Sequence, residues 1–354
     1  MALRYPADRI LIRCPNWIGD MVAATAALRC VRNNYPRAHI TLLLRPYVRP
    51  VVENALWYNE IIEYDSQKGW SGMRAAVRAL RSEPRYDLAL LLTHSTSSAL
   101  VAWLAGARRR AGHGRHGRSL LLTDAVPWPA TGPDRDLVSK MTLYSSLLEY
   151  LGLEGVRTMR PQLFTSPEDE AAVTRLLAGR GVDPARGLLA IVPGAAFGAS
   201  KLWPPERFAA AADELARRDG LQPMILTGPG ESRIAQEIAR EVRSGPITFD
   251  EREMTFGRLK ALIRRSRLLL CNDTGPRHVA IAYNVPVVVL MGPTDPIVTQ
   301  SDYPRTVILR QDVPCAPCYL RKCPTDHRCM TLLTPERVLA AAEELLDKYP
   351  SQKE

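Results

Sequence analysis

No stretch of the 354-residue chain approaches the roughly 18 uncharged apolar residues that a membrane span requires. The N-terminal MALRYPADRILIRCPNWIGD has scattered charges and no apolar core region, so it is not read as a secretory signal. Without such a signal, the seven cysteines are not read as a disulfide framework. Phenylalanine is scarce, at five residues, and the basic residues are not interleaved with aromatics as in a base-stacking groove. Neither a G-x-G-x-x-G fingerprint nor a Walker A sequence follows an expected strand. No D-x-D pair, the usual clamp for a metal-bound diphosphate, falls at a strand end. Repeats of solenoid period and low-complexity tracts are also missing. These absences predict a soluble, cytoplasmic, globular protein.

What is present is an uneven charge. Residues 1–165 hold 22 Lys/Arg against 13 Asp/Glu, a net of +9, whereas residues 166–354 hold 25 against 24. A basic half beside a neutral half points to an anionic partner for the first, or to a solvated basic surface.

Strand and helix patterns alternate throughout. Short apolar runs at 10–12, 39–44, 60–64 and 88–92 read as strands, with helices at 21–31 and 140–151. A second series starts at Ser166-Pro167-Glu168-Asp169, where Ser166 can cap a helix and Pro167 take its first position. Strands follow at 188–192, 224–226, 268–271 and 287–290, and helices at 205–218, 231–242, 256–265, 276–283 and 335–346. Short apolar strands without alternation belong to parallel sheets buried on both faces. Two such arrays predict two doubly wound α/β domains facing a cleft.

Ligands of these sheets bind beyond the carboxyl ends of the strands, so the strand-to-helix junctions carry the chemistry. At the first, Asp20 follows Gly19 at a helix start, as a plain N-cap or as a general base. At the second, small residues in 193–201 let backbone approach a phosphate, and Lys201 can supply charge. At the third, Glu231 opens a helix after Gly228-Pro229-Gly230 and can chelate ribose hydroxyls. At the fourth, Asn272-Asp273-Thr274-Gly275-Pro276-Arg277-His278 is dense in polar groups on an otherwise buried strand. Asp273 reads there as a helix cap and as an acceptor from sugar hydroxyls.

Four of the seven cysteines cluster as C-x₂-C-x₄-C-x₅-C at Cys315, Cys318, Cys323 and Cys329. A structural zinc or iron site, two disulfides and four free thiols are all compatible with that spacing. Cys14, Cys30 and Cys271 lie in apolar segments and read as buried.

Taken together, W-I-G-D at 17–20, P-G-x-x-F-G-x-x-K-x-W-P at 193–204, N-D-T-G-P-x-H at 272–278, G-P-T-D-P at 292–296 and the C-x-P-C stretch from Cys315 resemble the glycosyltransferase family 9 heptosyltransferases, most of all the heptosyltransferase II subgroup. One departure is Ala196, where relatives commonly carry Glu. The resemblance implies a GT-B fold of two Rossmann-like domains, with an acceptor domain at 1–165, a nucleotide-sugar domain at 166–333, and a C-terminal helix at 334–354 crossing back to the first domain. It implies metal-independent inverting transfer of heptose from ADP-heptose to the anionic inner core of lipopolysaccharide, at the cytoplasmic face of the inner membrane. By the same resemblance, Asp20 is the general base, Lys201 contacts the donor phosphates and Asp273 holds the donor sugar. Thr274, Gly275 and His278 border the diphosphate, and Glu231 takes the adenosine ribose. Two other readings are a same-fold transferase with another nucleotide sugar or acceptor, and a nucleic-acid-binding protein with a Cys₄ module.

Overall fold

Leu188–Val192 reads LLAIV and is buried at every position, as a strand covered on both faces must be. This pattern recurs through a computed structural model that describes residues 5–65, 68–115, 117–129, 137–183, 185–299 and 303–350. The chain divides into two compact units, Met1–Phe164 with Ile297–Ser301, and Thr165–Pro296 with Asp302–Glu354.

The first unit is built on β1 (Arg9–Arg13), β2 (His39–Leu44), β3 (Glu60–Glu63), β4 (Leu88–Leu91), β5 (Arg109–His113) and β6 (Asp124–Val126). Its sheet has the order β3-β2-β1-β4-β5-β6, and every pairing is parallel. Four helices belong to it: α1 (Ile18–Asn34), α2 (Gly69–Ser82), α3 (Thr96–Leu104) and α4 (Lys140–Tyr150). The helices α2 and α3 and the strands β5 and β6 are not among the elements that the sequence pattern singles out. β5 reads RRAGH and β6 has three residues, too polar and too short to stand out by hydropathy.

The second unit follows α5 (Pro167–Ala178) with β7 (Leu188–Val192), α6 (Pro205–Asp219), β8 (Gln222–Ile225), α7 (Ser232–Glu241), α8 (Phe256–Arg264), β9 (Ser266–Asn272), α9 (Pro276–Ala282) and β10 (Val287–Met291); after the short α10 (Pro296–Thr299), where the chain visits the first unit, it resumes with β11 (Thr306–Arg310), α11 (Arg328–Thr331) and α12 (Pro335–Lys348). Of its five strands the sequence pattern does not single out β11. Its sheet runs β11-β10-β9-β7-β8, again all parallel. Beyond β8 a single parallel bridge joins Met224 to Ile247, with Ile247 N donating to Pro223 O at 2.9 Å. That remnant sits where a sixth strand would complete the Rossmann order seen in the first unit. Helix starts follow the sequence: Ser166 and Thr255 accept from the amides three residues on.

The last helix packs into the second unit: Val338, Ala342 and Leu345 are buried in one core with Phe208, Leu215 and Leu290. Its apolar stripe matches the uncovered side of that sheet, and Arg218 of α6 pairs with Glu343. Among the described residues, no helix is long and apolar enough to cross a membrane.

Trp203 anchors this core. It is fully buried, meets Phe208 edge-on at 4.9 Å, and its indole Nε1 donates to Leu333 O at 2.9 Å. Trp203→Ala is expected to cost about 3–5 kcal/mol, as other large aromatic truncations do, measured as a lower denaturation midpoint at unchanged m value.

Candidate active site

The strand order reverses between β7 and β9 in the second sheet, so the chain leaves these two strands in opposite directions and opens a crevice at their carboxyl ends. Lys201 arrives from the β7 side and Asp273 from the β9 side. Lys201 Nζ pairs with Asp273 Oδ2 and also donates to the Asp273 carbonyl at 3.3 Å. Arg277 Nη1 lies 3.1 Å from Asp273 Oδ1, and Thr294 Oγ1 donates to Oδ2 at 2.8 Å. Lys201, Asp273 and Arg277 are all at least nine-tenths buried. Burial alone would raise the Asp273 carboxyl, but Arg277, Lys201 and the bond from Thr294 overcome it and hold the group well below the usual carboxylate range.

This corrects the reading of Asp273 as a cap: the N-cap of α9 is Gly275, and the carboxylate is spent on cations. A lone carboxylate at this strand end would repel a phosphate, but here Lys201 and Arg277 both lie against it. Thr274 and Gly275 lie between Asp273 and the helix. His278 Nε2 accepts from Arg277 Nε at 3.3 Å. Burial and then Arg277 drive its pKa down to about 3, so the ring is a neutral hydrogen-bonding group with its proton on Nδ1. Arg277 is the residue that sequence reasoning missed; its four-residue spacing from Asp273 was the available signal.

Glu231 is the N-cap of α7, and its Oε2 accepts from Gly228 N at 2.8 Å. Burial raises its pKa, opposed by that bond. Gly194 permits the arrangement, since a Cβ there would lie 2.1 Å from the Glu231 carboxyl. Glu231 and Gly194 help to line a pocket of about 520 Å³ with Leu202, Trp203, Arg233 and His327. The structure therefore brings Lys201, Asp273 and His278 together and sets Glu231 at a neighbouring pocket.

The four clustered cysteines come near one another, since Cys323, Cys315 and Cys318 all act on the Cys329 thiol. Among the described residues, no three His, Cys, Asp or Glu side chains are grouped so that they could hold a metal ion. Cys315 is exposed, Cys323 Sγ lies 3.5 Å from Thr325 Oγ1, and Cys329 is buried with its thiol pushed up to about 11 by desolvation. Cys14, Cys30 and Cys271 are buried, as expected. The segment serves as a brace. Ser200 N donates to Arg321 O at 3.1 Å, His327 Nε2 lies 2.6 Å from Ser200 O, and Cys318 N donates to Pro293 O at 3.1 Å. It thereby holds both the loop that presents Lys201 and the loop that presents Thr294.

In the first unit the order reverses between β1 and β4. Asp20 follows β1, in the third position of α1 rather than at its cap, which is Trp17. Two residues of α4 hold it: Lys140 Nζ lies 3.7 Å from Oδ2, and the Tyr144 hydroxyl donates to the Asp20 carbonyl at 3.3 Å. Burial pushes the Asp20 carboxyl up, and Lys140 pulls against it without cancelling the effect. After β4, Thr93 Oγ1, both ring nitrogens of His94 and Arg118 Nη2 are buried with no hydrogen-bond partner. His94 packs against Trp128 and His113 at 5.2 and 5.8 Å, and burial with nearby Lys140 and Arg118 lowers its pKa to about 3. Sequence reasoning assigned neither Lys140 nor His94 to a site.

A family model described as glycosyltransferase family 9 (heptosyltransferase) matches residues 73–328. The chain belongs to that family. It is therefore a glycosyltransferase, and the nucleic-acid-binding alternative is not favoured. It is similar to lipopolysaccharide heptosyltransferase 2 of Salmonella typhimurium, at 27% identity over 352 residues, covering 96% of this chain and 99% of that one. Among solved structures it is similar to E. coli ADP-heptose lps heptosyltransferase II, with TM-score 0.76, 25% identity, and coverage of 96% and 99%. It also superposes on a family 9 glycosyl transferase from Veillonella parvula, with TM-score 0.86, 23% identity and 99% coverage of both chains. The fold is that of these GT-B enzymes.

Asp273→Asn would remove the buried carboxylate that Lys201 and Arg277 share, at a cost of about 3–5 kcal/mol. The sign with pH follows from the depressed pKa. The contribution is present above the unfolded-state value near ~3.9 and is lost as pH falls through the lower folded-state value. Urea midpoints of wild type and variant are therefore expected to differ most at neutral pH and to converge below that range.

Proposed function

We propose that this enzyme transfers L-glycero-D-manno-heptose from ADP-heptose to the inner core of lipopolysaccharide, with inversion, in the manner of a heptosyltransferase II. Family membership carries the reaction class, and the charge chemistry of the two switch points supports the division of labour. The donor diphosphate binds at the second sheet, where Lys201 and Arg277 outnumber Asp273 and where Thr274 and Gly275 offer backbone. Asp273 accepts from donor-sugar hydroxyls while fixing Lys201 in place. Glu231 takes the ribose hydroxyls beside the 520 Å³ pocket, which accommodates the adenosine.

The acceptor binds at the first unit. The net charge of +9 over residues 1–165 suits an acceptor rich in carboxylates and phosphates. The unpartnered atoms of Thr93, His94 and Arg118 suit its polar groups, since each buried unsatisfied group otherwise costs about 1–3 kcal/mol. Asp20 takes the proton of the attacking hydroxyl as the anomeric carbon–oxygen bond to ADP breaks. The leaving diphosphate's charge is met by Lys201 and Arg277. The reaction is placed at the cytoplasmic face of the inner membrane, by peripheral contact with the anionic surface that bears the acceptor.

Two measurements test this. Asp20→Asn is expected to lower kcat by about 10²–10⁴ with ADP affinity unchanged; retention of a tenth of the activity would leave Asp20 as a structural residue only. Lys140→Met removes the cation that holds the Asp20 carboxyl down, so the acid limb of the kcat/KM profile is expected to move to higher pH. Lys140→Arg should restore it. In both, turnover of ADP-heptose is compared with that of UDP- and GDP-sugars, which identifies the donor.

A further inference from the structure

We propose that the exposed ridge of α2, formed by Trp70, Arg74, Arg78 and Arg81, is the face on which the first unit docks to an anionic lipid bilayer. The inference rests on the reading that the acceptor is held in a membrane, and it assigns that contact to a surface.

The helix GWSGMRAAVRALRS buries Gly72, Met73, Ala76 and Leu80. At 3.6 residues per turn, the other four residues fall within an arc of about 80°. All four are exposed, Trp70 to 70%. The helix contains no Asp or Glu. Among the described residues, neither Arg74 nor Arg78 enters an ion pair.

Helices of the second unit behave differently. In α7 Arg233 pairs with Glu237 at 2.8 Å, and in α6 Arg217 pairs with Glu214 at 2.5 Å. An ordinary solvated face carries both signs in this way. The α2 ridge is of one sign and ends in an indole. A row of guanidinium groups attracts lipid phosphates, and an exposed indole settles at the headgroup level. The ridge is also firmly mounted: Arg81 Nε donates to Leu104 O at 2.7 Å, and just past the helix Arg85 Nε donates to Gly106 O at 2.8 Å. Nucleic acid is the poorer fit, because stacking on successive bases needs several aromatic platforms and the ridge has one.

The test is co-sedimentation of the full-length protein with vesicles of phosphatidylglycerol and phosphatidylcholine, or of phosphatidylcholine alone, at low and high salt. Wild type is expected to bind the anionic vesicles only, and to be released by salt. Arg74→Glu with Arg78→Glu should lower the partition coefficient by at least about tenfold. Trp70→Ala should lower it by a smaller factor and abolish the blue shift of tryptophan emission that vesicles induce. Each variant is expected to keep wild-type transfer to a delipidated, water-soluble core acceptor. That control separates the two readings: a wild type that binds vesicles but transfers no heptose defeats the proposed reaction and leaves the docking face standing. Wild type that ignores anionic vesicles would overturn the proposal. So would binding that survives both variants, or a ridge that takes single-stranded RNA or an acidic polypeptide in preference to the vesicles.

Discussion

The arrangement around Asp273 decides what the second sheet can bind. A bare carboxylate at the end of a buried strand would repel a diphosphate, and its own burial would favour protonation. Lys201 and Arg277 reverse both effects by placing two cations on it. The cluster is then anionic at one atom pair and cationic as a whole, so one site offers hydrogen-bond acceptance to sugar hydroxyls and attraction to phosphate. A buried ion pair is not a strong source of stability by itself, because desolvation consumes most of the Coulombic gain. Its worth here is geometric: Lys201 is positioned in advance, and little side-chain entropy remains to be lost when a donor arrives.

Positioning Lys201 in turn constrains chain far from it in sequence. The turn at Gly198 passes so close to Arg321 that a Cβ would lie 2.4 Å from the Arg321 carbonyl. At that contact the cysteine-rich segment supports the lysine loop, and its bonds to Pro293 O tie in the Thr294 loop. Tyr319 and His327 both take left-handed backbone there, a conformation that costs non-glycine residues about 1–2 kcal/mol each. Their amide and imidazole bonds to Pro293 O and Ser200 O offset that cost. A polar loop with little apolar burial thus keeps its shape through bonds to the loops it braces. This gives the segment a structural role that does not depend on its four thiols sharing a ligand.

Where hydropathy and end signals agree, the fold is legible from the chain. The strand at Leu188–Val192 and the helix starts at Ser166 and Thr255 are read to the residue, because buried parallel strands and capping hydroxyls are local features. β5 escapes because RRAGH has no apolar pattern, and the packing of α12 escapes because an apolar stripe specifies that a face is covered but not by what. The site divides in the same way. Asp20, Lys201, Glu231 and Asp273 stand at strand ends where this topology puts ligands, so position alone nominates them as candidates. Lys140 is found only through its ion pair with Asp20, and His94 only through its packing on Trp128 and His113; no local pattern announces such neighbours. Arg277 lies between: it is in plain view within the motif, and its role is hidden until Asp273 is seen to need a second cation.

Each sheet places one aspartate at its switch point, and their surroundings push the two apart. Asp273 has two cations and a hydroxyl on its oxygens, and these outweigh burial, so it stays ionised through any working pH. Such a group cannot exchange protons usefully and serves as fixed charge. Asp20 has one lysine at 3.7 Å, and burial prevails, so its carboxyl rises above the ordinary range. A raised pKa makes an ionised carboxylate a better proton acceptor, and Lys140 favours the ionised form against the burial. Enzymes that need one carboxylate to hold charge and another to move a proton separate them in this way. The proposed assignment of Asp20 as base and Asp273 as scaffold rests on this difference in what touches each group.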